Sequence, residues 1–107
     1  MDYIRNDYET ILQRREAKQE GSYTSYLFEQ GIDKILKKVG EESAEMIIAA
    51  KNQKNDETIG EICDLIYHTL VMMVEEDITI EDVEKELEKR ALKAGNLKKF
   101  HKVDKNS

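Results

Sequence analysis

The chain of 107 residues contains no proline and no tryptophan, and it has only five glycines. Residues that break or bend helices are therefore scarce, whereas 39% of the residues are hydrophobic and 37% are charged. This balance favours long, uninterrupted helices over a turn-rich β architecture. At this length we expect one domain with one modest core.

The sequence also lacks any apolar run near the roughly 18 residues that a membrane-spanning helix requires. Its N-terminus has no apolar stretch of the kind found in secretory signals. Cys63 is the only cysteine and cannot form an internal disulfide, which fits a reducing compartment. We therefore expect a soluble, cytoplasmic protein with no membrane partner. The formal net charge of −6 argues against nucleic acid as a partner.

Apolar residues at helical spacing predict four long helices. Their ranges are Tyr3 to about Lys18, Ile32 to Lys51, about Glu57 to Glu76, and a fourth helix after Thr79 that ends at Gly95. Because the connectors are short, neighbouring helices should pack antiparallel. The predicted fold is an all-α antiparallel bundle of about four long helices at residues 1–95, followed by a polar tail at 96–107.

Local signals predict where several helices begin. Thr24 should cap a short helix from Ser25 to Gln30, with Gly31 as its end. An Asn or Asp in the connector 52–56 should cap the third long helix. Thr79 and the acids that follow it predict a capping box for the fourth helix, whose predicted apolar seam is Val83, Leu87 and Ala91.

The third long helix is unusual because only three residues between Ile59 and Val74 can carry a charge near neutral pH. These are Glu61, Asp64 and His68, which occupy an arc of roughly 60° at about 100° per residue. Helices that are apolar on nearly all sides are buried, so the acids should face an internal cleft and Cys63 should lie in the core. The apolar surface exceeds what one small bundle covers, which predicts a homodimer or higher homo-oligomer.

Two acidic clusters carry the predicted chemistry. They comprise Glu41, Glu42 and Glu45 in the second long helix and Glu61 and Asp64 in the third. Within each cluster carboxylates recur three residues apart, which places them on one helix face. Two such helices facing each other would converge four carboxylates. Oxygen-only sites of high charge suit Mg²⁺ or Mn²⁺ rather than zinc or copper.

The alternative interpretation is a solvated helix face, because a lysine precedes each of Glu41 and Glu42 by four residues. However, lysine before glutamate is the weaker orientation of such a pair. Two acids on an apolar helix also repel each other unless a cation joins them. Together the clusters favour a metal site.

Other side chains are secondary candidates for contacting phosphates. Lys34 and Lys38 lie on the acid-bearing side of their helix, with ordinary surface lysines as the alternative. His68 could bind a phosphate oxygen or orient a carboxylate, or it could be a hydrogen-bonded structural histidine. Ser22 and Thr24 are candidates by position alone, since their segment lacks the spacing of a Walker-type loop.

The spacing E-E-x-x-E, followed by E-x-x-D on the next helix, resembles the MazG-like all-α nucleotide pyrophosphohydrolases. Within that superfamily the sequence is similar to the phosphoribosyl-ATP pyrophosphohydrolase family of histidine biosynthesis. The segments that carry the likeness are EGSYT at 20–24, LFEQG at 27–31, DKILKKVGEE at 33–42, IIAAKN at 47–52 and DLIYH at 64–68. The likeness covers most of the chain from about Tyr8 to Arg90.

The resemblance implies the second step of histidine biosynthesis, the Mg²⁺-dependent hydrolysis of the small-molecule nucleotide phosphoribosyl-ATP to phosphoribosyl-AMP and pyrophosphate. The residues it implies as metal ligands are Glu42, Glu45, Glu61 and Asp64, with Glu41 as an auxiliary catalytic acid. One cysteine excludes a fused cyclohydrolase with zinc-binding cysteines, so a stand-alone form is expected. Two alternatives stay open: a housekeeping pyrophosphatase for dUTP, dCTP or a damaged nucleotide, and a non-catalytic helical interaction module. Attack at the α or the β phosphorus also stays open.

Overall fold

The computed structural model describes residues 2–93, and within them the chain forms five α-helices and no β-strand. These are α1 (Tyr3–Glu16), α2 (Tyr23–Gln30), α3 (Ile32–Lys51), α4 (Asn55–Glu75) and α5 (Ile80–Leu92). The predicted all-α class is confirmed, and α3 has the predicted bounds. Gly95 and the tail at 96–107 lie outside the described residues. Among the described helices, none has the length and hydrophobicity needed to cross a membrane.

Helices α3 and α4 form a hairpin that carries the acidic residues. The connector 52–54 joins them, and Gln53 takes a positive φ of 57° in the turn. The backbone N–H groups of Asn52 and Lys54 donate to carbonyl oxygens in the last turns of α3, which closes its C-terminal end. The most extensive helix-to-helix contact of the described chain is between α3 and α4, so their facing surfaces are held in a fixed register.

The core lies where α1, α2, α3 and the C-terminal half of α4 meet. Its fully buried large side chains are Ile11, Leu27, Ile35, Val71 and Val74. Burying one such side chain contributes roughly 1.5–3 kcal/mol. Met73 is buried, and Met72 packs against the same cluster. The core therefore anchors α4 by its C-terminal half.

The N-terminal half of α4 contradicts the prediction that this helix is buried. Ile59 is 59% exposed and Ile62 is 40% exposed. Cys63 is also exposed, so its predicted place in the core is wrong. Helical periodicity shows that a surface is apolar, but it does not show what covers that surface. Within the described chain, the core covers only the second half of α4.

The start of α2 differs from the prediction. The helix begins at Tyr23, and its N-cap is Ser22, whose hydroxyl accepts the Ser25 backbone N–H at 3.1 Å. The predicted cap, Thr24, is instead buried, and its hydroxyl hydrogen-bonds the hydroxyl of Tyr67. A contact with a distant helix therefore decides which of two cap-forming residues is the cap.

Other helix ends differ from the prediction by a few residues. Helix α1 ends at Glu16 rather than near Lys18. Helix α4 begins at Asn55, directly after Lys54, and no side chain makes a capping hydrogen bond there. The prediction that an Asn or Asp caps this helix is therefore wrong.

Helix α5 begins at the predicted capping box. The Thr79 hydroxyl accepts the Asp82 N–H at 3.0 Å, and the Asp82 carboxylate accepts the Thr79 N–H at 2.9 Å. Arg5 of α1 holds α5 through ion pairs with Glu81 and Glu84 at 2.5 and 3.0 Å. The predicted apolar seam of α5 is exposed rather than packed; it consists of Val83, Leu87 and Ala91.

Candidate functional site

The α3–α4 hairpin brings three carboxylates together. Glu42 and Glu45 lie one turn apart on α3, and Glu61 faces them from α4. One carboxylate oxygen from each residue lies within 4.8 Å of the other two. Glu61, which stands 16 or more positions beyond the two α3 residues in sequence, thus joins them in one group of oxygen donors.

Two of these carboxylates have an oxygen that is shielded from solvent and lacks a donor. Glu42 is 7% exposed. Its Oε2 and the Oε2 of Glu61 have no hydrogen-bond partner within residues 2–93. Ionised carboxylates are acceptors only, so they cannot satisfy one another. A buried oxygen of this kind is destabilising until a cation or a proton reaches it.

Glu61 shows the electrostatic consequence of this crowding. Its pKa is raised to about 7 from the ordinary value of 4.5. The main cause is the neighbouring Glu45 carboxylate, which can accept a hydrogen bond from Glu61 only when Glu61 is protonated; burial and Glu42 also raise the pKa. The group therefore holds a proton near neutral pH when no cation is bound.

Asp64 lies one turn further along α4 and stands beside this group rather than in it. Its carboxylate is not among the three that meet, and the residue is exposed. Asp64 nevertheless lines the same cavity of about 380 Å³ as Glu45 and Glu61. The structure thus brings together three of the four predicted ligands and places the fourth beside them, in the cavity that Glu45 and Glu61 line.

The same cavity also involves residues that the sequence pattern did not single out. They are Ile48, Ala49, Asn52, Glu57 and Gly60. Glu57 precedes Glu61 by four residues, so the i,i+4 spacing of acids on one helix face could have identified it. The cavity therefore continues from the acidic group toward the connector 52–54.

Lys38 lies against the α3 acids. Its Nζ is 3.5 Å from the Glu41 carboxylate and 3.6 Å from that of Glu42. Burial acts to lower the pKa of Lys38, but Tyr23 and the two glutamates outweigh this effect and raise it. Glu41 is exposed and lies outside the three-carboxylate group. Lys34 is half-buried and forms no ion pair within residues 2–93.

The remaining predicted residues make hydrogen bonds inside the chain. Ser22 caps α2, and Thr24 bonds Tyr67. His68 is 6% exposed, with Nδ1 2.8 Å from the Asp64 backbone oxygen and Nε2 2.9 Å from the Tyr23 hydroxyl. The geometry of His68 matches the structural alternative, and the roles of all three residues in substrate binding stay predictions.

The fold and this site define an all-α protein with an acidic cleft between two helices, built from the oxygen donors that hard divalent cations prefer. Residues 5–91 match the family model described as phosphoribosyl-ATP pyrophosphohydrolase. A phosphoribosyl-ATP pyrophosphatase of Clostridium novyi (strain NT) is 56% identical over 98 residues, which cover 92% of this chain and 89% of that protein. One from Clostridium botulinum (strain Hall) is 59% identical over 93 residues, 87% of this chain and 84% of the relative.

A third relative is a histidine biosynthesis bifunctional protein of Caldanaerobacter subterraneus subsp. tengcongensis. It is 58% identical over 83 residues, which cover 78% of this chain and 40% of that longer protein. Because the family model spans most of the chain, the chain belongs to the phosphoribosyl-ATP pyrophosphohydrolase family.

Proposed function

We propose that this protein hydrolyses phosphoribosyl-ATP to phosphoribosyl-AMP and pyrophosphate in histidine biosynthesis, acting in the cytoplasm. Family membership and the names of the relatives support the substrate. The main structural support for the proposal is that the carboxylates of Glu42, Glu45 and Glu61 converge. Hydrolysis of a phosphoanhydride depends on charge neutralisation at the phosphates, which a cation in such a site provides.

The three converging glutamates, with Asp64 beside them, would hold Mg²⁺, and Mn²⁺ has the same preference for oxygen ligands. The fit is supported by the all-carboxylate donor set and by the two shielded oxygens, on Glu42 and Glu61, that lack hydrogen-bond donors within the described chain. When bound, such an ion would neutralise triphosphate charge and lower the pKa of a nearby water molecule.

Lys38 and Glu41 would supply the remaining charge and proton transfer. The Lys38 ammonium lies 3.5 and 3.6 Å from the carboxylates of Glu41 and Glu42, and from this place beside the acids it would neutralise charge on the leaving pyrophosphate. Glu41 is exposed and can accept the proton of the attacking water. The α–β anhydride linkage is the one that opens, because the products are a monophosphate and pyrophosphate. Lys34 and the segment 22–24 would contact other parts of the substrate.

We also propose that the helices form an antiparallel bundle that a second copy of the chain completes. The short connectors, Gly31 and residues 52–54, support the antiparallel arrangement. A patch of isoleucines on the hairpin, 40–62% exposed, supports the oligomer. It consists of Ile47, Ile48, Ile59 and Ile62. Since Ile48 also lines the acidic cavity, the patch lies next to the site.

A comparison of kcat/KM for phosphoribosyl-ATP, dUTP, dCTP and ATP in the presence of Mg²⁺ tests the proposed substrate. We expect a clear preference for phosphoribosyl-ATP, with pyrophosphate as the released product. A preference for dUTP or dCTP would assign a housekeeping pyrophosphatase instead. Absence of hydrolysis, together with a melting temperature that does not respond to Mg²⁺, would favour a non-catalytic interaction module.

A further inference from the structure

Two consecutive residues of α4 hold the first two residues of α2. Tyr67 hydrogen-bonds the Thr24 hydroxyl, and His68 Nε2 lies 2.9 Å from the Tyr23 hydroxyl oxygen. We call these four residues the α2–α4 clasp. Thr24 and His68 are buried, whereas Tyr23 is partly exposed, so the clasp connects the two helices from the interior of the chain to its surface.

The hydrogen bonds of His68 indicate which ring nitrogen carries a proton. Nδ1 is 2.8 Å from the backbone oxygen of Asp64, which can only accept, so Nδ1 carries the proton. Nε2 is then the acceptor, and the Tyr23 hydroxyl donates to it. The rings of Tyr23 and Tyr67 pack edge-on against the imidazole, with centroid distances of 5.7 and 5.8 Å. These contacts hold the imidazole in one orientation.

The clasp joins α2 to the face of α4 that carries the acidic site. Glu61, Asp64 and His68 recur at spacings of three and four residues, so they share one helix face. On the other side of the hydrogen bond, Tyr23 is 46% exposed and lines a cavity of about 370 Å³ formed within residues 18–29. Burial raises the pKa of Tyr23, while the nearby Lys38 ammonium opposes that rise. Tyr23 therefore lies between His68 and the charged side chains of α3.

We propose that Tyr23 is a substrate-binding residue and that His68 is a positioning residue that acts through it. The clasp holds the start of α2 in place relative to Glu61 and Asp64, so that a nucleotide bound at the acids also meets the Tyr23 side chain. This role rests on the proposed hydrolysis of phosphoribosyl-ATP. It differs from direct phosphate binding by His68, because both imidazole nitrogens are used inside the protein.

The primary test is Tyr23→Phe, which removes the hydroxyl and keeps the ring. We expect KM for phosphoribosyl-ATP to rise roughly 10-fold, which corresponds to the loss of one ordinary hydrogen bond. We expect kcat to change much less, and the rise in melting temperature caused by Mg²⁺ alone should match the wild type. Tyr26→Phe is the matched control, because Tyr26 stacks on Tyr23 at 6.2 Å but its hydroxyl makes no hydrogen bond within residues 2–93.

His68 variants test whether the residue acts through Tyr23. His68→Ala should raise KM like Tyr23→Phe, and His68→Gln, whose amide oxygen can accept the tyrosine proton, should restore part of the loss. The double variant Tyr23→Phe/His68→Ala should be no worse than the worse single variant, because the two residues form one unit. Multiplicative losses in the double variant, or a wild-type KM in Tyr23→Phe, would overturn the proposal.

Nitrogen-15 NMR of the imidazole tests the clasp without any substrate. We expect a neutral His68 ring protonated at Nδ1, assigned by comparison with His68→Gln. The opposite tautomer would overturn the hydrogen-bond chain itself. The tautomer could be as expected although the wild type does not hydrolyse phosphoribosyl-ATP. That result would uphold the clasp, but it would contradict both the proposed function and the role of Tyr23 in binding that substrate.

Discussion

Replacing Glu42 by glutamine tests whether the acidic cleft binds a divalent cation. Glu42 is 7% exposed, and one of its oxygens has no donor within the described residues. Glu42→Gln keeps the size and shape of the side chain and removes one negative charge from the group with Glu45 and Glu61. Without metal, the variant should be as stable as the wild type or more stable, because repulsion among the carboxylates falls.

The magnitude follows from the linkage between binding and stability. A ligand at 100 times its Kd stabilises the folded state by about 2.7 kcal/mol. For a domain of this size each kcal/mol raises Tm by about 4–8 °C, so Mg²⁺ should raise the wild-type Tm by roughly 10–20 °C. Glu42→Gln should lose most of this rise. Its kcat/KM should fall by roughly 100-fold or more, since changes to groups that merely support metal ligands already cost about 10–100-fold.

Thermal unfolding with and without Mg²⁺ measures this effect directly. Glu88→Gln on α5 is the charge-matched control, because Glu88 is exposed and does not line the acidic cavity. The control should show the full wild-type response to Mg²⁺. An equal Mg²⁺-induced rise in Tm for Glu42→Gln and the wild type would refute the assignment of Glu42 as a ligand.

Three further predictions concern pH, helix capping and assembly. Because the pKa of Glu61 is raised to about 7 from an ordinary 4.5, the folded state binds this proton more tightly than the unfolded state. That stabilisation is lost as pH rises through 7, so the metal-free wild type should lose more stability between about pH 5 and about pH 8 than Glu61→Gln does. Thr79→Ala removes half of the capping box with Asp82 and should cost about 1 kcal/mol in denaturant unfolding; an unchanged midpoint would contradict the cap. Ile59→Glu places a charge in the exposed isoleucine patch and should shift sedimentation toward the monomer, whereas unchanged sedimentation would contradict the proposed interface.

The helices could be predicted from the sequence because their signals are local. The bounds of α3 follow from apolar spacing between Gly31 and Asn52, and the capping box needs only Thr79 and Asp82. The cap of α2 could not be predicted in the same way. Both hydroxyl residues near its start can cap a helix, and the choice depends on a hydrogen bond between residues 43 positions apart.

That the acidic residues of each helix share one face could be predicted from the sequence. Which of these residues meet in the cluster could not. Spacing places Glu61 and Asp64 on one face of α4. Which of them meets the α3 carboxylates depends on the register of α3 against α4, which the turn at 52–54 and the core set together. The exposure of Cys63 could not be predicted for a related reason. Periodicity shows which side of a helix is apolar, but it does not show whether another helix packs against that side.

The dependence of hydrolysis on a divalent cation is tested most directly with the wild-type protein and phosphoribosyl-ATP. The reaction is monitored by ³¹P NMR, first with Mg²⁺ and then after chelation. We predict that one equivalent of pyrophosphate and one of phosphoribosyl-AMP form when Mg²⁺ is present. Chelation should stop the reaction, and added Mg²⁺ or Mn²⁺ should restore it. Release of orthophosphate as the first product, or an undiminished rate after chelation, would contradict the claim that the carboxylates of α3 and α4 form a metal-dependent pyrophosphohydrolase site.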